Sequence, residues 1–127
     1  MPHVRVHGSC SVRAHWEGFS RRQWRDDTRI VKTLASFLAQ DGSSELIECL
    51  AIEGFLRQSF LAQVLQKEDG VLIRLYPGSS PEKSDGVRVC LGWIAMELSS
   101  QNPGSRIDAS NLGVALPVIS PLPPAVD

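Results

Sequence analysis

Residues 30–38 read IVKTLASFL and residues 56–65 read LRQSFLAQVL, whereas residues 71–75 read VLIRL and residues 87–91 read VRVCL. In the first two segments apolar residues recur every third or fourth position, which is typical of one face of a helix. In the last two segments apolar residues occupy every second position, as in a strand with one buried face. The order of these patterns predicts helices followed by a β-hairpin.

Turn and cap residues extend this prediction in both directions. Ser20 is a candidate N-cap for a first helix that continues to about Gln40, before an Asp-Gly pair. Residues 44–67 then predict either one helix or two shorter helices that meet at Gly54. Near the start of the chain, residues 3–16 predict a strand or a bent pair of strands.

The predicted fold class is therefore α+β, with two or three helices packed on one face of a small antiparallel sheet. The sheet would contain the hairpin of residues 71–76 and 87–93, with residues 3–15 added as a further strand. The predicted core residues are Ile30, Leu34, Phe37, Leu38, Leu46, Leu50, Phe60, Leu61, Val64, Ile73, Leu75, Val89 and Leu91.

The length of 127 residues predicts one domain, which we assign to residues 1–98. Residues 99–127 hold five of the eight prolines and no aromatic residue, so we expect a proline-rich, largely irregular C-terminal tail. Within this tail, residues 114–119 could dock on the body. The hairpin loop of residues 77–86 is expected to be exposed because it is rich in proline, glycine and polar residues.

Composition excludes several classes of protein. A hydrophobic fraction of 43% and a charged fraction of 21% are those of a globular chain. No apolar run is long enough to cross a membrane, and the first residues do not resemble a signal peptide, which predicts a cytoplasmic protein. The three cysteines are widely spaced and form no CxxC pair, so we expect no disulfide framework. Cys49 and Cys90 lie within apolar stretches, where we expect buried, reduced thiols.

Side chains that could perform chemistry form no recognisable constellation. His3, His7, Cys10 and His15 cluster at the start of the chain, but their spacing is too wide for one metal ion on an unbroken strand. No glycine-framed motif surrounds a cysteine that could act as a nucleophile. The sequence therefore predicts no catalytic residues, no metal site and no cofactor, and it favours a protein that is not an enzyme.

Positive charge concentrates at the start of the chain. Residues 1–32 contain seven of the thirteen basic residues and only three acids, which favours an acidic partner. Tryptophan and arginine are also the residues that most often anchor interfaces. We predict a partner-binding set that includes two arginines on the exposed face of the hairpin: Trp16, Arg21, Arg22, Trp24, Arg25, Arg29, Arg74 and Arg88.

Two functions follow from these observations. The favoured one is a non-enzymatic protein-interaction module: an adaptor, a regulator, or an assembly factor or chaperone of a larger complex. A PxxP segment at residues 121–124 would suit recruitment, and an edge strand would allow a homodimer. The alternative is a nucleic-acid-binding regulator. It would use either a winged-helix-like core with residues 55–66 as recognition helix, or the arginine- and tryptophan-rich N-terminal surface.

Overall fold

The computed structural model describes residues 2–78 and 85–110 of the chain. In this part, sheet predominates over helix, with seven strands and two helices. The elements in chain order are β1 (His3–His7), α1 (Val12–Glu17), β2 (Arg22–Arg25), β3 (Arg29–Leu38), β4 (Ser44–Glu53), β5 (Leu56–Lys67), β6 (Gly70–Leu75), α2 (Asp85–Gln101) and β7 (Arg106–Ser110).

The seven strands form one curled antiparallel sheet in the order β2-β3-β4-β5-β6-β1-β7. Strands β2 to β6 are neighbours in both sequence and space, as in a simple meander. The exception is β1, which lies between β6 and β7 although it comes first in the chain. At this end of the sheet, the first described strand, β1, therefore pairs with the last one, β7.

Glycine is required at two positions of this sheet, one in a turn and one where two strands approach closely. Gly54 has a φ of +60° and is followed by Phe55, and together they connect the paired residues Glu53 and Leu56. A positive φ at the first central residue is what a two-residue type II′ hairpin requires. Gly70 has a φ of +154°, and a Cβ there would overlap the carbonyl oxygen of Val6 on β1.

The core lies on the concave face of the sheet, beneath α2. Strand residues that point inward include Val4, Ile47, Val64 and Ile73, all fully buried. The side of α2 that packs on them repeats every three or four residues, as an amphipathic helix requires. Its buried apolar residues are Val87, Val89, Cys90, Leu91, Ile94, Ala95 and Leu98.

The predicted fold class is wrong, because the proportion of sheet to helix is reversed. The expected first helix, capped by Ser20, is replaced by β2 and β3, and residues 44–67 form β4 and β5. Residues 87–93, expected as a strand, lie in α2. The winged-helix arrangement is wrong for the same reason: residues 55–66, predicted as its recognition helix, form the end of the β4–β5 turn and strand β5.

The helical spacing in β3, β4 and β5 has a physical cause: both faces of these strands carry aliphatic side chains. Ile47 and Val64 point into the core, while Leu46 and Leu61 lie half-buried on the outer face. In addition, the register shifts between Thr33 and Ala35, which indicates a bulge that breaks the two-residue alternation of β3.

Parts of the prediction are confirmed. The strand expected at 71–76 corresponds to β6, and β1 forms the first part of the strand region expected at 3–16. Residues 12–16, however, lie in α1. Of the predicted core, the residues that are buried are Leu50, Phe60, Val64, Ile73, Leu75, Val89 and Leu91. The five that are only half-buried are Ile30, Leu34, Leu38, Leu46 and Leu61.

Phe37 was also expected in the core, but it is 56% exposed. The three cysteines are free, and Cys49 and Cys90 are buried, as expected; Cys10 is buried as well.

The described structure continues past residue 98, since α2 extends to Gln101 and β7 pairs with β1. The rest of the predicted tail, including residues 114–119 and 121–124, lies outside the described residues. So does most of the predicted 77–86 loop, at positions 79–84. Neither described helix is both long enough and apolar enough to span a membrane.

Candidate functional site

Five polar side chains meet on the inner face of the sheet, and we call them the buried ionic cluster: His15, Arg22, Ser36, Glu45 and Glu97. They come from five different elements, namely α1, β2, β3, β4 and α2. His15, Glu45 and Glu97 are each less than a tenth exposed. Ionisable groups are rarely buried to this extent unless they are paired.

Local structure directs His15 into this cluster. Ser11 is the N-cap of α1, and its side-chain oxygen accepts a hydrogen bond from the backbone N–H of Ala14 at 3.2 Å. The side chain of Gln66 on β5 accepts a second bond from the N–H of Val12 at 2.9 Å. These two bonds satisfy free donors at the start of a helix that is too short to be stable alone. They hold α1 with His15 pointing at the sheet.

Every hydrogen bond within the cluster has a carboxylate as its acceptor, so these bonds are charge-assisted. His15 Nδ1 lies 2.7 Å from Glu45 Oε1, and His15 Nε2 lies 3.0 Å from Glu97 Oε1. Arg22 Nε donates to Glu97 Oε2 at 3.2 Å, and the hydroxyl of Ser36 donates to Glu45 Oε2. Each of the four carboxylate oxygens therefore has a partner.

The two carboxylates keep His15 protonated. Burial by itself would lower the pKa of His15, but the hydrogen bonds and negative charges of Glu45 and Glu97 outweigh burial and raise this pKa to about 9. At neutral pH the ring is an imidazolium ion. With Arg22 it supplies two positive charges against the two negative carboxylates, so the formal charge of the cluster is zero.

This geometry limits what the cluster can do chemically. A general base needs a free lone pair, but both ring nitrogens of His15 donate to carboxylates. The hydroxyl of Ser36 faces Glu45 and does not contact the imidazole, so the two do not form a nucleophile–base pair. The cluster instead connects α1, α2 and β2 to the centre of the sheet.

A second feature lies on the outer face, at the end of the sheet that carries two hairpin turns. Arg25, Ile30, Ile52 and Arg57 are direct cross-strand partners on β2 to β5, so their side chains share one face. Phe55 stands beside this row in the β4–β5 turn and is fully exposed. We call these five residues the hairpin-end surface.

An open cleft of about 350 Å³ lies between the two turns of the hairpin-end surface. Its lining includes Arg25, Ile30 and Ile52, together with Asp26 of the β2–β3 turn and Arg29, the first residue of β3. Asp26 accepts hydrogen bonds from the backbone N–H groups of Thr28 and Arg29, and these bonds lower the pKa of its carboxyl group. The cleft is thus a small apolar strip with charged side chains around it.

The opposite end of the outer face carries a groove of about 270 Å³, which we call the Phe37 groove. Phe37, Leu46 and Tyr76 give it an apolar wall, and Gln63 adds an amide. All of its lining residues are uncharged, and this distinguishes it from the cleft of the hairpin-end surface. Both ends of the outer face therefore expose a phenylalanine. The row of Phe37 includes one arginine, Arg74, which donates to Gln63, whereas the row beside Phe55 carries Arg25 and Arg57 at its two ends.

The predicted partner-binding residues are distributed over several environments. Arg21 and Arg25 are exposed beside and on β2, and Trp16 is 37% exposed on α1. Arg22 belongs to the buried ionic cluster. Trp24 is buried, and its ring stacks on that of Trp93 with centroids 5.2 Å apart.

The remaining predicted arginines do not form one patch. Arg29 lies 3.8 Å from Asp26 in the β2–β3 turn. Arg74 on β6 donates to the side-chain oxygen of Gln63 at 2.9 Å on the outer face. Arg88 is on α2, so it shares no hairpin face with Arg74. Of the predicted set, Arg25 alone belongs to the hairpin-end surface.

The sequence prediction missed the buried ionic cluster and Phe55. One signal was available, because Glu45 is in phase with Ile47, Cys49 and Ala51, which all point inward. An acid in a buried phase indicates a paired charge. His15 is 30 positions from Glu45 and 82 positions from Glu97, so no local pattern connects the charged members of the cluster.

The histidines and cysteine of the N-terminal segment do not come together. His7 on β1 lies 3.6 Å from Asp69, while His15 is part of the buried ionic cluster. Among residues 2–78 and 85–110, no group of three or more potential ligands is placed to hold a metal ion. The sequence matches no protein-family model, and no curated protein or solved structure matches it.

Proposed function

We propose that this protein is a non-enzymatic protein-interaction module that contacts its partner through the hairpin-end surface. The observation that carries the proposal is the position of Phe55, a fully exposed phenylalanine beside an apolar strip and two arginines. Such a module would serve as an adaptor, a regulator, or an assembly factor or chaperone in a larger complex.

The energetics of exposure support a role for Phe55. A phenylalanine side chain gains roughly 1.5–3 kcal/mol when it is fully buried, and at the tip of the β4–β5 turn it gains none of this in the isolated chain. The turn itself requires only Gly54 at its first position, so an aromatic residue at the second position is not needed for the hairpin. Burial against a partner would recover the hydrophobic contribution.

The surroundings of Phe55 match the composition of an interface. Ile30 and Ile52 form a half-buried apolar pair, and Arg25 and Arg57 lie at the two ends of their row. Interfaces typically combine an apolar centre with a polar rim, and aromatic residues and arginine are enriched in them. The buried ionic cluster supports the same proposal, because it holds together the elements that form this scaffold and offers no free base.

The experiment is a capture of interaction partners from the native host with the full chain as bait. We expect Phe55→Ser to lose the specific partner because it removes the anchor from the hairpin-end surface. The matched control is Phe37→Ser, which removes an exposed phenylalanine from the opposite end of the same outer face. Both variants should unfold at nearly the same urea concentration as the wild type.

Two outcomes would contradict the proposal. In the first, Phe37→Ser loses the partner and Phe55→Ser retains it, which would move the interface to the Phe37 groove. In the second, the captured material is nucleic acid whose retention falls steeply with salt, as phosphate contacts require. That result would favour the nucleic-acid-binding regulator. Of the two N-terminal tryptophans on which a nucleic acid base could stack, this regulator would have only Trp16 accessible, because Trp24 is buried.

A further inference from the structure

Strand β2 forms one edge of the sheet and pairs only with β3 among the described strands. The N–H of Asp26 donates to the carbonyl of Arg29 at 3.0 Å, which makes these two residues a hydrogen-bonded pair. In an antiparallel ladder such pairs alternate with pairs whose backbone groups point outward. Gln23 and Arg25 are in the outward phase, so their N–H and C=O groups face away from the sheet.

The charge around this edge is positive. Arg21 and Arg25 are exposed, and Lys32 is the direct cross-strand neighbour of Gln23 on the outer face. In the adjacent turn, Asp26 is offset by the nearby Arg29, which leaves Asp27 as the opposing acid. Three basic side chains against one acid give a local charge of +2.

We propose that the partner binds as an added antiparallel strand along β2, with acidic side chains on the face that meets Arg25 and Lys32. This inference rests on the proposed function and specifies its partner as an extended acidic segment. Backbone bonds to Gln23 and Arg25 would provide register, as in other cases of strand addition. The alternate side chains of the partner would be apolar and would lie toward the half-buried ring of Trp93.

Charge also argues against a second copy of this chain as the occupant. Pairing of β2 with itself would bring a second Arg25 and a second Arg21 to the same edge. Like charges on opposed strands are destabilising, whereas opposite charges stabilise a strand pair. Charged side chains on an edge strand therefore prevent self-association while they admit a strand of the opposite charge.

The test uses a synthetic peptide of alternating glutamate and valine with blocked ends. The peptide is titrated into the full chain, and binding is followed by the NMR signals of the backbone amides of the protein. We expect the amides of Gln23 and Arg25 to shift and to become protected from exchange, and binding to weaken as salt rises. A lysine–valine peptide should bind at least about tenfold more weakly. Arg25→Glu should reverse this preference.

Two variants at one position separate the backbone bond from the side chain. Gln23→Pro removes an outward N–H that makes no ladder bond to β3, and we expect about a tenfold loss of peptide affinity. Gln23→Ala keeps the N–H and should bind like the wild type. If Gln23→Pro does not fold, a glutamate–valine peptide with an N-methylated central amide tests the reciprocal bond, from the peptide N–H to an outward carbonyl of β2, and we expect a similar loss.

Several results would overturn strand addition. These are equal binding of the lysine and glutamate peptides, unchanged binding by Gln23→Pro or by the N-methylated peptide, and concentration-dependent dimers that β2 variants dissociate. Binding of a single-stranded oligonucleotide in preference to the peptide would also overturn it. If Phe55→Ser loses the captured partner while Gln23→Pro retains it, the proposed function stands and strand addition is refuted. Loss by Gln23→Pro alone supports strand addition and refutes the interface centred on Phe55.

Discussion

Glu45→Gln tests whether the buried ionic cluster stabilises the fold through charge. Glutamine has nearly the same shape as glutamate, and its amide oxygen can still accept a bond from His15 Nδ1. Its NH₂ group faces Ser36, whose hydroxyl can rotate to accept. The substitution therefore removes the negative charge and leaves the volume of the side chain nearly unchanged. His15 would then have one charged partner, Glu97.

The magnitude follows from the pKa of His15, which is about 9 in the folded chain and 6.5 as its ordinary value. A pKa that is raised on folding contributes stability that is fully present below pH 6.5 and is lost as the pH rises through 9. The difference between these two pKa values corresponds to a contribution of about 3 kcal/mol to the free energy of unfolding. Because Glu97 remains as a charged partner, we expect Glu45→Gln to cost about 2 kcal/mol at pH 6.5, less than the roughly 3–5 kcal/mol for a buried ion pair that is fully broken.

The decisive measurement is the pH dependence of that cost. Urea unfolding, followed by the fluorescence of the stacked Trp24 and Trp93, should give wild-type and variant curves that converge as the pH rises from 6.5 to 9. Glu48→Gln is the matched control, since Glu48 is on the same strand but exposed, and it should behave like the wild type. A cost of Glu45→Gln that stays constant over this pH range would refute the electrostatic reasoning and indicate altered packing alone.

Two further predictions concern backbone and aromatic packing. Gly70→Ala should lower the free energy of unfolding in urea by more than about 3 kcal/mol, because the new Cβ would overlap the carbonyl oxygen of Val6. Gly54→Ala should cost only about 1 kcal/mol, because there is open space around Gly54 and only its positive φ is unfavourable for alanine. Equal costs for the two variants would contradict the clash with Val6. Trp24→Ala should lower the free energy of unfolding by about 3–5 kcal/mol because it removes the stack on Trp93. Trp24→Phe should cost less than half as much, because it keeps an aromatic ring and removes a buried indole N–H that has no hydrogen-bond partner. Similar losses for both variants would argue against a contribution from stacking.

The sequence predicts the strand content of this fold poorly for a specific reason. In β3 to β5 the outer face is itself aliphatic, so the alternation between apolar and polar residues that normally indicates a strand is obscured. In α2 the opposite error occurs, because Val87, Val89 and Leu91 alternate over a short window. Extending that window to Leu98 shows spacings of three and four residues, which indicate the helix.

The candidate sites could be anticipated only in part. The positive charge at the start of the chain is visible in the sequence, and Arg25 is the predicted residue that reaches the hairpin-end surface. Phe55 could not be assigned to that surface from a helical interpretation of residues 44–67, whether or not the helix breaks at Gly54, since the exposure of Phe55 depends on the hairpin turn. The partners of His15 come from β4 and α2, and only the tertiary fold brings them together.

The position of β1 between β6 and β7 determines the order in which the sheet can be completed. Strand β1 precedes the other described strands in the chain, and it has neither of its neighbours until β6 and then β7 have been synthesised. Until that time Val4 and Val6, which are fully buried in the finished sheet, have no strand to pair with. Contacts this distant in sequence slow folding, so closure of β1 into the sheet is expected to be a late step that follows the meander of β2 to β6. Both edges of β1 therefore stay unpaired while the strands of the meander already have their neighbours.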